Sequence, residues 1–387
     1  MRILIGGAVL RKGWPGGEPI STRLLAEDLR NLGHEVSTGW FDRGVVGLVG
    51  FGTSPFDWDL LALNYYSRLL TDEKPDVVLC HYDYDTSLIR ASRKAGIPAV
   101  ACVHTHWPTC PIGTLYIEAE GVCDGSEWRK CISHMSKSIP PTHGRFKPSW
   151  LPAPLALPVY QKFRNRRQGL AQASAIVAIS QAQKDILVAA GFQRVNSVPI
   201  GIDHSEFQGV PESDSPPVVL YPAGSIIERK GFFHFHRLAK TLSSRFPSVQ
   251  FIAPGFSGDQ FVRGTGYLAR ETYVALMLRA KVVVVPPLWS EPFGRVVLEA
   301  MAAAKPVAGY ASGALPEVIE DGITGLLSPV GDLPHLVSNV TSLLEDPRKA
   351  REMGEAGRRR VERFFNVRMM TNGYLRIIRG VLRLNSR

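Results

Sequence analysis

The sequence predicts an α/β protein made of two doubly wound halves, each with a parallel sheet covered by helices. Short β-branched runs recur along the chain, and Val282 to Val285 is an unbroken valine run typical of a strand buried on both faces. Stretches with apolar residues at helical spacing alternate with these runs. Because 387 residues exceed what one hydrophobic core usually supports, we expect two domains.

The composition is that of a globular protein with an anionic partner. Hydrophobic residues make up 45% and charged residues 21% of the chain, which excludes a largely disordered protein. The sequence has no apolar run of about 18 residues and starts directly with a strand, so we expect a cytoplasmic protein without a signal peptide. The net charge of +10 favours a nucleotide, a nucleic acid or a membrane surface as the partner.

A glycine pair lies between the first predicted strand and the first predicted helix. Residues 2–5 start the strand, and apolar residues from Ile20 to Leu32 have helical spacing. Gly16 and Gly17 would let backbone N–H groups approach a phosphate at the start of that helix. The alternative is an ordinary flexible turn.

Two further predicted strands end in histidine, at His81 and His104. Since ligands of open α/β sheets bind at the carboxyl ends of the strands, both are site candidates, although a structural role is favoured for His81. Asp83 and Asp85 follow in the pattern Asp-x-Asp, which imitates a known triplet that binds a metal-nucleotide complex. So short a motif also arises by chance.

Three cysteines and a histidine lie close together in the sequence: Cys110, Cys123, Cys131 and His134. The Cys-x-x-His spacing at the end of this segment can chelate one ion, and four such ligands would form a closed structural zinc site. One disulfide with a free thiol, or three packed thiols, are the alternatives. The cytoplasm disfavours the disulfide.

The segment from Lys137 to Arg167 is basic and proline-rich, and it carries scattered aromatic and aliphatic residues. This mixture would suit peripheral contact with an anionic membrane or with an acidic acceptor. A solvated loop and helix is the alternative.

A turn-rich stretch from Gly209 to Pro217 has the composition of a linker between domains. We therefore expect an N-terminal domain over residues 1–208 and a C-terminal domain over residues 209–365. The amphipathic segment 366–387 predicts a final helix that packs back on the N-terminal domain.

Two cations precede a predicted helix in the second half. Arg229 and Lys230 lie between Gly224 and Gly231, directly before that helix. Cations at a helix N-terminus are unfavourable for the helix dipole. They become favourable if an anion such as a pyrophosphate binds between them and the backbone N–H groups.

Two carboxylates follow the valine strand. Glu291 lies in the turn after it, Gly294 lets backbone approach a ligand closely, and Arg295 to Ala304 predicts a helix. Glu299 lies about 1.5 turns into that helix, too far along to cap it. Two carboxylates beside an anion site indicate recognition of sugar hydroxyls.

With these residues together, the chain resembles the retaining glycosyltransferases of family 4, which have the GT-B fold and a Glu-x7-Glu motif. The motifs that carry the resemblance fall in family order: Gly16-Gly17, Gly33-His34-Glu35-Val36, Ala178-Ile179-Ser180, Gly201-Ile202-Asp203, Lys230-Gly231, Glu291-x7-Glu299, Pro316-Glu317 and Asp321-Gly322. Each motif is short, but the ordered set covers nearly the whole chain and is specific.

The resemblance implies two Rossmann-like domains that face each other across a cleft. The N-terminal domain would bind an acceptor hydroxyl, and the C-terminal domain would bind a nucleoside-diphosphate sugar such as a UDP-sugar. It implies that Glu291 contacts the transferred sugar, that Glu299 holds the ribose and that His104 faces the donor. Lys230 and Gly17 would hold the diphosphate.

The resemblance also defines the remaining site residues. The predicted donor site is Gly16, Gly17, Ser225, Arg229, Lys230, Phe293, Gly294, Arg295 and Glu299, and the predicted acceptor residues are Asp83, Asp85 and His106. Phe293 and Gly294 would meet the sugar through their backbone. The family commonly has an arginine in place of Ser225, so either Arg229 substitutes for it or the leaving group is less well stabilised.

The implied reaction is front-face attack by the acceptor, with retention of the anomeric configuration and no catalytic metal. The predicted catalytic residues are His104, Lys230 and Glu291. Stabilisation of the leaving diphosphate would be the main catalytic effect, and the departing phosphate would accept the acceptor's proton. A nucleotide-sugar epimerase or a phosphorylase of the same architecture is the alternative enzyme. A basic nucleic-acid-binding protein is the alternative from another class, but no such module's pattern is present, so we expect no nucleic-acid partner.

Overall fold

A computed structural model describes residues 1–9, 17–42, 59–81, 86–118, 120–125, 127–137, 153–209, 216–224 and 226–385. The chain divides into two compact units: the first contains Met1–Pro199 and Val367–Arg387, and the second contains Ile200–Asn366. Four predicted site residues lie outside the described residues: Gly16, Asp83, Asp85 and Ser225.

The first unit is built on a six-stranded parallel sheet. Its strands are β1 (Arg2–Val9), β2 (Glu35–Asp42), β3 (Val77–Cys80), β4 (Ala99–Val103), β5 (Tyr116–Ile117), β6 (Gly121–Val122), β7 (Ala175–Ala178) and β8 (Val195–Ser197). The sheet has the order β2-β1-β3-β4-β7-β8 with parallel pairing throughout, and β5 and β6 form a separate antiparallel pair. Strands β3, β4 and β7 are buried along their whole length, as expected for a sheet covered on both faces.

Helices cover this sheet: α1 (Gly17–Asn31), α2 (Asp59–Glu73), α3 (Ser87–Lys94), α4 (Trp128–Lys137), α5 (Ala153–Leu170) and α6 (Gln181–Ala189). Leu25 and Leu29 of α1 are fully buried, in agreement with their helical spacing. Gly33, with φ of 80°, allows the left-handed turn that leads from α1 to β2.

The second unit repeats the architecture. Its strands are β9 (Val218–Leu220), β10 (Gln250–Ala253), β11 (Arg263–Gly264), β12 (Ala280–Val285), β13 (Val307–Tyr310) and β14 (Gly325–Ser328), in the parallel order β11-β10-β9-β12-β13-β14. Its helices are α7 (Phe232–Leu242), α8 (Arg270–Arg279), α9 (Arg295–Ala302), α10 (Leu315–Val318), α11 (Leu333–Glu345) and α12 (Pro347–Phe364), with short 3-10 turns at His204–Phe207 and Glu228–Lys230. The valine run of β12 is buried in the centre of this sheet. Two parallel, helix-covered sheets confirm the predicted α/β class with two Rossmann-like halves.

The division between the units falls after Pro199, whereas the sequence predicts a linker that starts at Gly209. The Ile202 N–H donates to the Phe365 carbonyl at 2.9 Å, and Phe207 is buried. These contacts attach the segment before the predicted linker to the second unit. Residues 210–215 of that linker lie outside the described residues.

The last helix, α13 (Val367–Asn385), belongs to the first unit. Arg368 Nη2 lies 3.0 Å from Asp28 Oδ1 on α1, and Tyr374, Leu375 and Ile378 are buried. In the parts of the chain that the structure describes, no helix combines the length and the apolar character needed to cross a membrane.

Candidate active site

Glu291 is the centre of the candidate active site in the second unit. Its backbone is fixed by the loop after β13, where the Ala314 N–H donates to the Glu291 carbonyl at 2.9 Å. Gly313 has φ of 56°, and a Cβ at this position would lie 2.2 Å from the Glu291 carbonyl oxygen, so the close approach requires glycine. The Glu291 side chain is only 10% exposed.

Lys230 reaches Glu291 from the loop that follows β9. The 3-10 turn that contains Lys230 ends at Gly231, where φ is 77° and a Cβ would lie 1.8 Å from the Pro286 carbonyl oxygen. The turn therefore packs directly against the end of β12. From this position Lys230 Nζ donates to Glu291 Oε2 at 2.8 Å.

Trp289 completes this cluster, and the sequence prediction missed it. Its indole N–H donates to Glu291 Oε2 at 2.8 Å. The Lys230 ammonium lies 4.6 Å and the Arg229 guanidinium carbon 5.4 Å from the centre of the indole ring, within the range of cation–π attraction. Both donors reach Oε2, and no donor among the described residues reaches Glu291 Oε1. The available signal was a tryptophan two residues before Glu291.

Glu299, on α9, is the centre of a second carboxylate cluster. Arg270 and Arg295 donate to Glu299 Oε1 at 3.0 and 3.2 Å, and the Tyr273 hydroxyl donates to Oε2 at 3.0 Å. Arg270 also donates to Glu206 Oε2 at 2.6 Å. The sequence prediction included Arg295 but missed Arg270 and Tyr273, because no short motif links α8 to this carboxylate.

Electrostatics reinforce this hydrogen-bond pattern. Burial acts to lower the pKa of Arg270, but the carboxylates of Glu299 and Glu206 outweigh it and hold that pKa above its ordinary value. Burial, followed by the charge of Glu299, raises the pKa of Tyr273 well above its ordinary value. Arg270 and Tyr273 therefore remain hydrogen-bond donors at neutral pH.

Gly294 precedes α9 as its N-cap residue in a left-handed conformation, with φ of 87° and ψ of 55°. The Phe293 side chain before it is buried and packs edge-on against Phe365, with ring centres 6.0 Å apart. The backbone is thus the part of Phe293 that remains for a ligand. Arg295, the first residue of α9, turns its guanidinium to Glu299.

His81 and His104 lie side by side at the carboxyl ends of β3 and β4. His81 Nδ1 is 3.4 Å from His104 Nε2 and 3.0 Å from Thr22 Oγ1. Cys102 Sγ is 3.2 Å from His104 Nε2 and 2.7 Å from the Tyr374 hydroxyl. Burial lowers the pKa of His104 to about 4, and burial followed by the neighbouring His104 lowers the pKa of His81 well below its ordinary value. Both rings are therefore neutral at pH 7.

The predicted zinc ligands come together elsewhere in the first unit. Cys110, Cys123, Cys131 and His134 all line one small cavity, and the three cysteines are free thiols. Burial, followed by the neighbouring Cys110 and Cys123, raises the pKa of Cys131 to about 12. A tighter potential metal group also exists: within the described ranges, only His81, Cys102 and His104 place three ligating atoms within 4.8 Å of one another.

His106, a predicted acceptor residue, is buried in the turn after β4. Its N–H donates to the Gly113 carbonyl at 3.3 Å, and its carbonyl accepts from the Cys110 N–H at 2.8 Å. These bonds give the backbone of His106 a structural role. Its acceptor role stays a prediction, as do the roles of Asp83 and Asp85.

Two family models match the chain. Residues 15–206 match the model described as Glycosyltransferase Family 4, and residues 203–360 match the model described as Glycosyl transferases group 1. Together the models cover most of the chain, and they meet near the division between the two units.

The chain is also similar to curated glycosyltransferases. It is 28% identical over 234 residues to the MMP alpha-(1->4)-mannosyltransferase of Mycolicibacterium hassiacum, covering 56% of each chain. It is 32% identical over 253 residues to the alpha-maltose-1-phosphate synthase of Mycolicibacterium smegmatis, covering 56% of this chain and 65% of that one. The matched region therefore spans less than two thirds of the length of these relatives.

Solved structures share the fold over almost the whole length. The sucrose-phosphate synthase of Thermosynechococcus elongatus superposes with a TM-score of 0.69 at 18% identity, covering 99% of this chain and 100% of that chain. Anabaena HepE, solved in complex with UDP and glucose, superposes with a TM-score of 0.66 at 19% identity, covering 97% and 98%. At such identities the likeness shows the fold, which is GT-B.

Proposed function

Because the chain belongs to the GT-B glycosyltransferases of the family 4 type, we propose that it moves a sugar from a nucleoside diphosphate to an acceptor hydroxyl with retention of the anomeric configuration. The observation that carries the proposal is the Lys230–Glu291 ion pair at the carboxyl end of β12. It combines a cation suited to a leaving phosphate with a carboxylate suited to sugar hydroxyls.

In this proposal Glu291 has two tasks. Its Oε2 holds the Lys230 ammonium and the indole N–H of Trp289, whereas Oε1 accepts a hydroxyl of the transferred sugar. The sugar is thereby held close to the cation that meets the diphosphate. Holding the sugar and the phosphate at one fixed point lowers the entropic cost of reaching the transition state.

The cations stabilise the leaving group. As the anomeric bond breaks, negative charge collects on the diphosphate. Fixed positive groups therefore bind the diphosphate more strongly in the transition state than in the ground state. Arg229 and Lys230 both lie over the indole ring of Trp289. This position supports a role for Arg229 in place of the arginine that the family commonly has at the position of Ser225.

Glu299 is proposed to hold the ribose. Its Oε1 already accepts hydrogen bonds from Arg270 and Arg295, whereas its Oε2 accepts one from Tyr273 and retains capacity for one more. A ribose hydroxyl would take this position on Oε2. The surrounding hydrogen bonds fix the Glu299 carboxylate before the nucleotide sugar binds, so its side chain loses little conformational freedom on binding.

His104 is proposed to contact the donor sugar as a neutral imidazole. Its low pKa excludes a charged ring at neutral pH, so it acts by hydrogen bonding and not as a general acid. The proton of the acceptor then passes to the departing phosphate in front-face attack. Gly17, which starts α1, is proposed to bring backbone N–H groups to the diphosphate together with Gly16.

We further propose a UDP-sugar donor, an acceptor site that includes Asp83, Asp85 and His106, and a cytoplasmic location. HepE was solved with UDP, and none of the five cysteines of this chain forms a disulfide, as is typical of a reducing compartment. A peripheral contact with anionic membranes is proposed through the basic, proline-rich segment from Lys137 to Arg167. Salt-sensitive sedimentation with anionic vesicles tests that contact.

A nucleotide screen tests the central proposal. We expect one of UDP, GDP, ADP and TDP to raise the melting temperature, because a ligand that binds only the folded state stabilises it by mass action. The matching nucleotide sugar should be consumed only with an acceptor present, and NMR of the product should show the anomeric configuration of the donor. Consumption without an acceptor and with an altered sugar would indicate an epimerase. Oligonucleotide binding without any nucleotide effect would indicate a nucleic-acid-binding protein.

A further inference from the structure

Four residues with metal-binding side chains lie in one small part of the first unit. Cys110 precedes the β5–β6 hairpin, Cys123 follows it directly, and Cys131 and His134 lie on α4. Each strand of the hairpin has two residues. So short a hairpin is marginal by itself and needs another source of stability.

The four side chains surround a single cavity. Its volume is about 10 Å³, which is room for one body of about the size of a water molecule. Much of the remaining wall is apolar and includes Ile112, Leu115 and Met135. Three cysteines and one histidine therefore line one space of the size of an ion.

The ligands come from separate segments. Cys131 and His134 are three residues apart on α4, so they lie on the same face of the helix, and both side chains are largely buried. Cys110 and Cys123 line the same cavity from the segments before and after the hairpin. An ion held by all four would cross-link the hairpin to α4.

The donor atoms select the ion. Three thiolates and one imidazole form a common closed set for structural zinc, with tetrahedral geometry and no open position. Magnesium and calcium prefer oxygen ligands and do not suit sulfur. All three cysteines are free, so they remain available as ligands.

We propose that Cys110, Cys123, Cys131 and His134 bind one structural Zn²⁺ that joins the β5–β6 hairpin to α4. On binding, the three thiols release their protons to solvent, and neutral His134 coordinates through one ring nitrogen. The ligands must also move inward, because this cluster lacks three ligating atoms within 4.8 Å of one another. Protonated thiols gain nothing from such an approach, whereas a divalent ion draws thiolates to about 2.3 Å.

The tighter group of His81, Cys102 and His104 is a weaker zinc site on chemical grounds. It supplies three ligands and one thiol, and its atoms already hydrogen-bond one another, Thr22 and Tyr374. A zinc ion there would have to replace these bonds. Cysteine variants distinguish the two locations, because zinc binding at each location requires different cysteines.

Metal content of the full chain, purified without a metal-binding tag, tests the proposal. We expect about one equivalent of zinc by elemental mass spectrometry. Cys123→Ser and His134→Ala should each lower it to less than about a tenth, as expected when a closed four-ligand site loses a ligand. His134→Cys should retain zinc because it restores four ligands. Cys80→Ala and Cys102→Ser are the controls: each removes a buried thiol outside the proposed site and should retain zinc. Less than about half an equivalent in the unaltered protein, or loss of zinc only in Cys102→Ser, would overturn the proposal.

Two measurements on the unaltered protein do not depend on folding of the variants. Cobalt substitution should give the tetrahedral spectrum with an intense thiolate-to-metal charge-transfer band. Thiols at Cys110, Cys123 and Cys131 should resist alkylation until a chelator is added. If a reductant but not a chelator makes these thiols react with the alkylating agent, they form a disulfide, and the proposal is overturned.

Discussion

Lys230 Nζ lies 2.8 Å from Glu291 Oε2, although 61 residues separate the two in sequence. The pair connects the loop after β9 with the turn after β12, two adjacent strands of the second sheet. Both loops leave the sheet at its carboxyl edge, where open α/β sheets bind ligands. Trp289 adds an indole N–H to the same oxygen and an aromatic face beneath the cation, so the pair is held in place from two sides.

Lys230→Ala should lower kcat roughly a hundredfold, because it removes the fixed charge that we propose to bind the leaving group in the transition state. Steady-state kinetics with a saturating nucleotide sugar measures this. Lys240→Ala on α7 is the control, since Lys240 is an exposed lysine outside both carboxylate clusters, and it should retain activity. A near-normal rate for Lys230→Ala would refute its role at the diphosphate.

Glu291→Gln should also lower kcat roughly a hundredfold with the protein still folded. Glutamine keeps the size of the side chain and can accept the indole hydrogen bond, but it loses the charge that holds Lys230. Far-UV circular dichroism and the melting temperature serve as folding controls. Activity close to that of the unaltered enzyme would show that the charge of Glu291 is not needed.

Trp289→Phe separates the two contributions of the indole. Phenylalanine keeps an aromatic face beneath Lys230 but removes the N–H that donates to Glu291. A hydrogen bond to a charged group is worth about 1.5–3 kcal/mol, so kcat/KM should fall roughly tenfold to a hundredfold if the bond persists in the transition state. Trp128→Phe, at an exposed tryptophan on α4, should leave kcat/KM unchanged. Equal kinetics of the two variants would count against a role for the indole N–H.

Arg270→Ala should weaken nucleotide binding more than it lowers kcat. Arg270 donates a hydrogen bond to Glu299, so its loss leaves the Glu299 carboxylate less firmly held. We propose that this carboxylate binds the ribose, which is far from the bond that breaks. We expect roughly a tenfold increase in Kd for the nucleotide by calorimetry, with kcat changed less. Arg348→Ala removes an exposed ion pair with Glu352, which is worth little, and should leave Kd unchanged. A loss confined to kcat would contradict the ribose assignment.

Stability should fall as the pH is lowered from about 6.5 to about 4. The folded-state pKa of His104 is lowered to about 4, whereas unfolded histidine titrates near 6.5. Between these pH values the unfolded chain binds more protons than the folded chain. The free energy of unfolding therefore rises with pH across this window, and the stabilisation is lost as the pH falls. His104 alone accounts for about 3 kcal/mol of this change. Urea unfolding at several pH values should show a smaller slope for His104→Gln, and an unchanged slope would be evidence against a buried neutral His104.

Local patterns and family motifs predict several residues of the candidate active site. The valine run predicts β12, and the motifs point to Lys230, Glu291 and Glu299. Arg270 and Tyr273 were missed because their hydrogen bonds to Glu299 are long-range contacts that no spacing encodes. Trp289 lies only two residues before Glu291, but this position alone does not predict its hydrogen bond to the carboxylate. The predicted linker likewise begins later than the division between the units, because the Ile202 hydrogen bond to Phe365 is a long-range contact.

The α/β class, the two Rossmann-like halves and the glycosyltransferase family follow from the amino-acid sequence alone, because strand and helix periodicity and short loop motifs are local properties of the chain. The folded structure adds that Lys230 and Trp289 donate to one oxygen of Glu291, that Arg270 and Tyr273 donate to Glu299, and that three cysteines and His134 line one cavity. Most of these contacts join different strands, helices and loops, and they form only when those elements have packed.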